Sequence, residues 1–303
     1  MQTIKTKIFT CLLSFVMVIS MLPALNSNAA TVSKSGKCGN NVKYSLASDG
    51  TMSITGTGAM YDFTYDTKKN FTDIPWYSFR TDIRKVVIGN GVERVGNFSF
   101  AWCTNLKSIV WPTNGSLKSI GKCAFAKNWA LTSIVLPNGL VSVGYESFYN
   151  CSAATELVLP NTLKVIAYGA FANCTHVTKV YLPASVTTIG DFAFRGMFNL
   201  VRCTGGAGLV TIGAQAFEHD SKLSYFVITS KKLKKIGKAC FNCDFKLKTL
   251  YIKNTTKLTK KGVKGSLYLS SVKKVKVKKS KVKKYKKYFT YRNCGKRSVK
   301  VKK

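Results

Sequence analysis

One recurring pattern constrains this chain more than any other. A Phe preceded four residues earlier by a small residue, and five earlier by Val or Ile, appears in VGNFSF ending at Phe100, IGKCAF at Phe125, VGYESF at Phe148, IAYGAF at Phe171, IGDFAF at Phe194, IGAQAF at Phe217 and IGKACF at Phe241. Successive phenylalanines are 25, 23, 23, 23, 23 and 24 residues apart. A fixed period of this length is the mark of a stacked-repeat architecture.

Between the Phe signatures lies a second constant element. Leu106, Ile109 and Trp111 precede Pro112; Leu131, Ile134 and Leu136 precede Pro137; Ala154, Leu157 and Leu159 precede Pro160; Val177, Val180 and Leu182 precede Pro183. The last two members of each set alternate with an outward residue, as a half-buried strand requires, so one strand per repeat is predicted. A unit of about 23 residues cannot bury its own apolar side. Neighbouring units must therefore stack, with strands roughly 4.8 Å apart in a parallel sheet. The Pro ends ladder pairing, and the Gly of the signature permits a turn where a Cβ would crowd the next coil. Phe fills the interior opposite the strand.

The string I-G-x-x-A-F, followed three residues later by Cys and then by L-x-x-I-x-L-P, resembles the BspA-like leucine-rich repeats of bacterial surface proteins. Cys103, Cys151 and Cys174 hold that Cys position; Asn128, Met197, Asp220 and Asp244 replace it elsewhere. The amino-terminal stretch CGNNVKYSLASDGTMSITGTGAMYDF, and then IPWYSF, is similar to the segment preceding such repeats in secreted clostridial members. The expected fold is a leucine-rich repeat solenoid with a parallel β-sheet on one face and short turns or helical segments on the other. Two departures stand out. Cys203, Thr204, Gly205 and Gly206 fill a strand slot without a large inward side chain, and Thr229 replaces a Pro, so the sheet is expected to be weakest there and to bend or loosen.

An open stack needs a cap at each end. Val42, Tyr44, Leu46, Met52 and Ile54 alternate around Asp49 and Gly50, a hairpin signal, and Trp76 and Phe79 join it in the amino-terminal cap. At the rear, Val272, Val275 and Val277 repeat the strand spacing. Ser280 is expected to cap a short helix carrying Val282, Tyr285 and Phe289, before a last strand with Val299 and Val301, giving a small basic αβ cap. The resulting division is a signal peptide over 1–29, an N-terminal β-hairpin cap over 30–82, the solenoid over 83–262 and a lysine-rich C-terminal cap over 263–303.

The signal peptide rests on Lys5 and Lys7 ahead of an apolar stretch at 8–22, interrupted at Ser20 and Pro23, with cleavage expected after Ala29 and Ser27 at the minus-three site. The mature chain is then secreted, extracellular or cell-wall associated, with no transmembrane segment. It keeps nine cysteines, an odd number in spacings unlike a disulfide scaffold or a zinc pair, which are read as buried thiols.

Lys and Arg total 48 against 12 acids, a net charge of +36. Residues 1–30, 31–230 and 231–303 carry +2, +7 and +27, so the cationic character belongs to the last quarter. Such a segment attracts polyanions at long range. Lys273, Lys274, Lys276, Lys278, Lys279, Lys283, Lys284, Lys286 and Lys287 are the candidate anionic-polymer site. Tyr285, Tyr288, Phe289 and Tyr291 interleave these charges, an arrangement that admits base stacking, although no nucleic-acid motif is present and DNA is read as an opportunistic ligand.

Nothing in the chain reads as catalytic. His176 and His219 lie in different repeats outside any metal motif; the C-F-N-C of Cys240 and Cys243 falls inside a repeat; the glycines at 205, 206 and 208 lack a Gly-Lys-Ser/Thr; and Glu146 and Glu156 fall on different sides of a coil. No cofactor or metal is expected, and the chain is read as a non-enzymatic scaffold.

Stacking predicts two outward rows across the sheet. One is Val87, Val110, Val135, Val158, Tyr181, Thr204, Val227 and Tyr251; the other is Lys85, Ser108, Ser133, Glu156, Lys179, Arg202, Tyr225 and Thr249. Aromatic beside basic residues favour partner contact, so Lys179, Tyr181, Arg202, Tyr225 and Tyr251 are the candidate ligand-binding patch, with cross-strand stabilisation as the other reading of the same side chains. The resemblance implies adhesion to host or bacterial surface proteins or glycans, with the basic end holding anionic cell-wall polymers. The alternatives are a cationic effector acting on anionic membranes or extracellular nucleic acid, and an enzyme with an unrecognised site.

Overall fold

The computed structural model describes residues 30–66, 71–252, 254–297 and 299–303. The predicted signal peptide lies outside the described residues.

The recurring Phe becomes a column. Phe100, Phe125, Phe148, Phe171, Phe194, Phe217 and Phe241 are fully buried. Successive rings are stacked with centroids 5.2 to 6.0 Å apart. Each coil therefore offers an aromatic face to the next, and no coil completes its core alone. The predicted strands form the front of the stack. Lys179–Leu182, Arg202–Gly205, Tyr225–Ile228, Thr249–Ile252, Lys274–Val277 and Lys300–Lys302 make one six-stranded parallel sheet. Ahead of it, Ser133–Val135 pairs with Glu156–Val158, and Lys85–Ile88 pairs with Ser108–Val110.

Each coil also carries a second strand, where one had been expected. Val92–Val95, Ser119–Ile120, Ser142–Val143, Val165–Ile166, Thr188–Ile189, Thr211–Ile212 and Lys235–Ile236 form a second parallel ladder. It holds the Val or Ile that opens each Phe signature. The Gly that follows runs against the preceding coil: a Cβ on Gly144 would lie 2.7 Å from the carbonyl carbon of Gly121. The third side consists of tight turns. Residues two before and two after each Phe have positive φ, as at Cys123 and Lys127 or Glu146 and Asn150. Their N–H groups, and that of the Phe between them, donate to the next coil; Cys123, Phe125 and Lys127 reach Tyr145, Ser147 and Tyr149 at 2.7 to 2.8 Å. The turn backbone is thus paired along the stack axis, which satisfies groups the coil cannot pair internally.

The ladder does not lapse at Cys203. Arg202–Gly205 pairs over four residues with both neighbours, because Gly205 at φ +105° lets the backbone approach Leu182 where a Cβ would collide. Thr229 continues the contact, its N–H reaching the Gly205 carbonyl at 2.9 Å. The breaks in the front sheet fall instead after Ser108–Val110 and after Glu156–Val158.

The expected hairpin caps the front. Asn41–Ala47 pairs antiparallel with Thr51–Ala59, and Val32–Lys37 adds an outer strand. Asp49 holds the turn by accepting the Thr51 N–H at 2.8 Å. Thr51–Ala59 then pairs in parallel with both Lys85–Ile88 and Val92–Val95, so one strand seeds both ladders. Trp76 heads the aromatic column, stacked 5.5 Å from Phe100, with its indole N–H donating to the Ser99 carbonyl at 2.6 Å. At the rear, Lys274–Val277 and Lys300–Lys302 are the expected strands, but the helix Val282–Lys286 begins after Lys281 with no side-chain cap, so Ser280 does not cap it. Phe289 lies beyond that helix, buried with Tyr285. Parallel strands, one aromatic column and turn-rich coils with little helix define a leucine-rich repeat solenoid.

Candidate functional site

Alternation places Val180, Cys203, Phe226 and Leu250 inside and their neighbours outside. The register makes the predicted rows real over the rear half: Lys179 faces Arg202, which faces Tyr225, while Tyr181 faces Thr204, then Val227, then Tyr251. Tyr181 is 66% exposed. The Arg202 guanidinium lies 4.2 Å from the Tyr225 ring centroid, and Tyr225 lies 5.8 Å from Tyr251. All five predicted patch residues therefore lie on one face.

The two regions that were read separately share a sheet. Thr249 faces Lys274, which faces Lys300, and Tyr251 faces Lys276, which faces Lys302. Cations thus extend both outward rows beyond the aromatic patch. Lys276 donates from Nζ to the Lys303 oxygen at 2.9 Å. Of the other predicted lysines, Lys273 precedes the Lys274–Val277 strand, Lys278 and Lys279 follow it, Lys283, Lys284 and Lys286 belong to the Val282–Lys286 helix, and Lys287 ends it. Base stacking loses two of its four candidate rings, since Tyr285 and Phe289 are buried in the core.

Sequence reasoning missed a cavity of about 300 Å³ lined by Val272, Lys273, Lys274, Lys296, Arg297 and Lys300. Lys296 Nζ donates to the Ser270 carbonyl. Arg297 lies 5.0 Å from the Tyr291 ring centroid. No acidic residue follows Asp244 in the chain. Lys300 was findable, being the residue beside inward Val301; Lys296 and Arg297 are brought in by the turn at Gly295, whose positive φ no repeat pattern announces.

The interior position occupied by Cys in some coils forms its own column. Cys151 and Cys174 are buried, with Sγ donating to the Phe125 and Phe148 carbonyls at 3.2 and 3.4 Å. Burial pushes Cys38 and Cys174 up to about 12 and Cys151 and Cys240 well above the usual thiol range. Those thiols are the opposite of activated nucleophiles. Two coils on, Asp220 and Asp244 fill the same column, fully buried. Asp220 Oδ1 accepts the Met197 N–H at 2.8 Å, and Asp244 Oδ1 accepts the Asp220 N–H at 2.9 Å. Burial raises both carboxyls well above the ordinary range. Glu218 is nearby, paired with Arg195 Nε at 2.8 Å and accepting from Gln215 and Asn242. His176 is exposed, its Nδ1 2.6 Å from the Ser152 carbonyl oxygen. Among the described residues, no group of three or more His, Cys, Asp or Glu is arranged to hold a metal ion, and no helix is long and apolar enough to cross a membrane.

Residues 72–183 and 164–297 match the model of the BspA type leucine rich repeat region, in 6 copies. The chain belongs to that family. Among solved structures, a leucine-rich repeat protein from Eubacterium ventriosum is 20% identical over 81% of this chain and 79% of its own, with a TM-score of 0.39. The leucine-rich repeat protein of T. pallidum is 23% identical over 68% of this chain and 88% of its own, with a TM-score of 0.40. A leucine-rich cell surface protein from Faecalibacterium prausnitzii is 18% identical over 81% and 89%, with a TM-score of 0.36. No curated protein matches.

Proposed function

We propose that this chain is an exported, surface-associated interaction scaffold. It binds host or bacterial protein or glycan ligands through Lys179, Tyr181, Arg202, Tyr225 and Tyr251, and anionic wall polymers through Lys273, Lys274, Lys276 and the lysines that follow. The observation that carries this reading is the register of the rear sheet, which sets exposed aromatic and cationic side chains side by side on a rigid ladder. Rigid aromatic rings beside guanidinium groups give contact area at little conformational cost. Membership of a leucine-rich repeat family supports a scaffold. The proposed solenoid boundaries remain 83–262, with a cap on either side.

Retention tests the cationic half of the reading. Protein bound to purified anionic cell wall is expected to elute as salt rises from about 0.05 to 0.5 M, because exposed charges are screened beyond roughly 10 Å at 0.1 M. Retention that does not change with salt would remove the cationic end from the account. For the sheet, Tyr181→Ala with Tyr251→Ala is expected to lose capture of protein or glycan ligands from mucus and matrix while wall retention persists.

A further inference from the structure

We infer that the cavity formed by Lys273, Lys274, Lys296, Arg297 and Lys300 is a phosphate site, and that it terminates a single track for a linear phosphate-bearing polymer running across the rear sheet. The inference deepens the anionic-polymer reading above and rests on it.

Val272 and five basic residues line this open cavity, largely with their aliphatic stems, and no carboxylate side chain lines it. Their like charge favours a negative occupant. Two of the five are held in place: Lys296 by the Ser270 carbonyl and Arg297 by the Tyr291 ring. A guanidinium matches a phosphate with paired N–H donors, and the lysines add point charge around it. At about 300 Å³ the space admits a phosphodiester with part of its linker rather than a bare ion alone.

Lys274 and Lys300 also stand in the outward row of the sheet, which continues through Thr249 and Tyr225 to Arg202 and Lys179. Cations therefore occupy both ends of the row, with a Thr and a Tyr between. Five strand steps of roughly 4.8 Å give a track of about 24 Å. An extended polymer with spaced negative charges fits that order: a phosphate in the cavity, a neutral stretch over Thr249 and Tyr225, and further phosphates at Arg202 and Lys179.

The test uses the mature chain, with inorganic phosphate, linear polyphosphate and phosphatidylglycerol vesicles as probes in calorimetric titrations. Lys273→Gln with Arg297→Gln is expected to abolish saturable phosphate binding and weaken polyphosphate about tenfold. Lys231→Gln with Lys232→Gln removes the same charge from exposed positions outside both the cavity and the cationic end, and is expected to change either by less than about threefold. Lys179→Gln with Arg202→Gln is expected to weaken polyphosphate but leave inorganic phosphate unchanged. Equal losses in the two charge-matched variants overturn the cavity while leaving the general anionic-polymer reading intact. Binding to vesicles alone overturns the polymer assignment, and no binding of any polyanion by the unaltered chain overturns both. Should the cavity variant not fold, lysine acetylation of the unaltered protein decides the matter: polyphosphate is expected to shield Lys273, Lys274 and Lys300 but not Lys231 and Lys232, and uniform shielding counts against the site.

Discussion

The front and rear halves of the exposed sheet differ outside and agree inside. In the front half the outward pairs are Lys85 and Val87, Ser108 and Val110, Ser133 and Val135, Glu156 and Val158; in the rear half they become Lys179 and Tyr181, Arg202 and Thr204, Tyr225 and Val227, and then lysines. Behind both halves lies the same buried column of phenylalanines. The front strands pair in short, separate sets, whereas the rear six are continuous. The coil fixes what points inward, because a neighbour must pack on it, and leaves the outward residues free to carry recognition. Chemistry has accumulated where the ladder is longest.

The largest test is whether the interior is common to both halves. Phe148→Ala and Phe217→Ala are each expected to cost about 3 to 5 kcal/mol in urea unfolding, since either opens a hole between stacked rings. A cost below about 1 kcal/mol in one half would break the comparison. Next, Gly144→Ala and Gly237→Ala force a Cβ into the preceding coil, and each is expected to lose about 1 to 3 kcal/mol by the same measurement.

The interior does differ at one column, where two coils of the rear half carry the acids Asp220 and Asp244 and the other coils carry Cys103, Asn128, Cys151, Cys174 and Met197. Burial raises the carboxyls of Asp220 and Asp244, so each binds its proton more tightly folded than unfolded. The stability this provides is complete below the unfolded carboxylate pKa of about 3.9 and is lost as pH rises through the raised folded value. Asp220→Asn with Asp244→Asn keeps an acceptor for the Met197 and Asp220 N–H groups without the charge. The double variant is expected to gain about 1 to 3 kcal/mol at pH 8 and little at pH 4, read from thermal unfolding at the two pH values. A pH-independent change would show that these acids are not neutral in the fold. Smallest of all, Val135→Ala and Tyr181→Ala are expected to shift stability by no more than about 0.5 kcal/mol, as substitutions on an exposed face. For Tyr181 the loss should appear in ligand capture instead.

Much of this was legible in the residues. The Phe spacing gave the stacked column, and the alternation of Val180 and Leu182 around Tyr181 gave the inside and outside of the strand. The second ladder was not legible, because Ser142–Val143 and its equivalents are two residues long and offer no alternation; they are strands only because the next coil lies beside them. Asp220 and Asp244 stand at the Cys position of the repeat, and their alignment with Cys151 and Cys174 placed them at an interior position. Gly205 lacks the side chain that the repeat pattern asks for, but the neighbouring Leu182 backbone needs that space. The cavity was hidden for a different reason: Lys273 and Arg297 are far apart in the sequence and meet only through pairing of the last two strands.

On the turn side, alternate N–H groups donate within their own coil, as Ala126 does to Cys123, while those between them, at Cys123, Phe125 and Lys127, donate to the next coil. The coil between Phe100 and Phe125 is two residues longer than its neighbours and keeps these bonds, because the extra residues fall between its two strands, and a whole coil could be duplicated or removed with donors and acceptors still matched at the seam. The molecule is therefore built to change length in increments of about 23 residues, each adding one more strand to the exposed sheet and leaving both end pieces as they were.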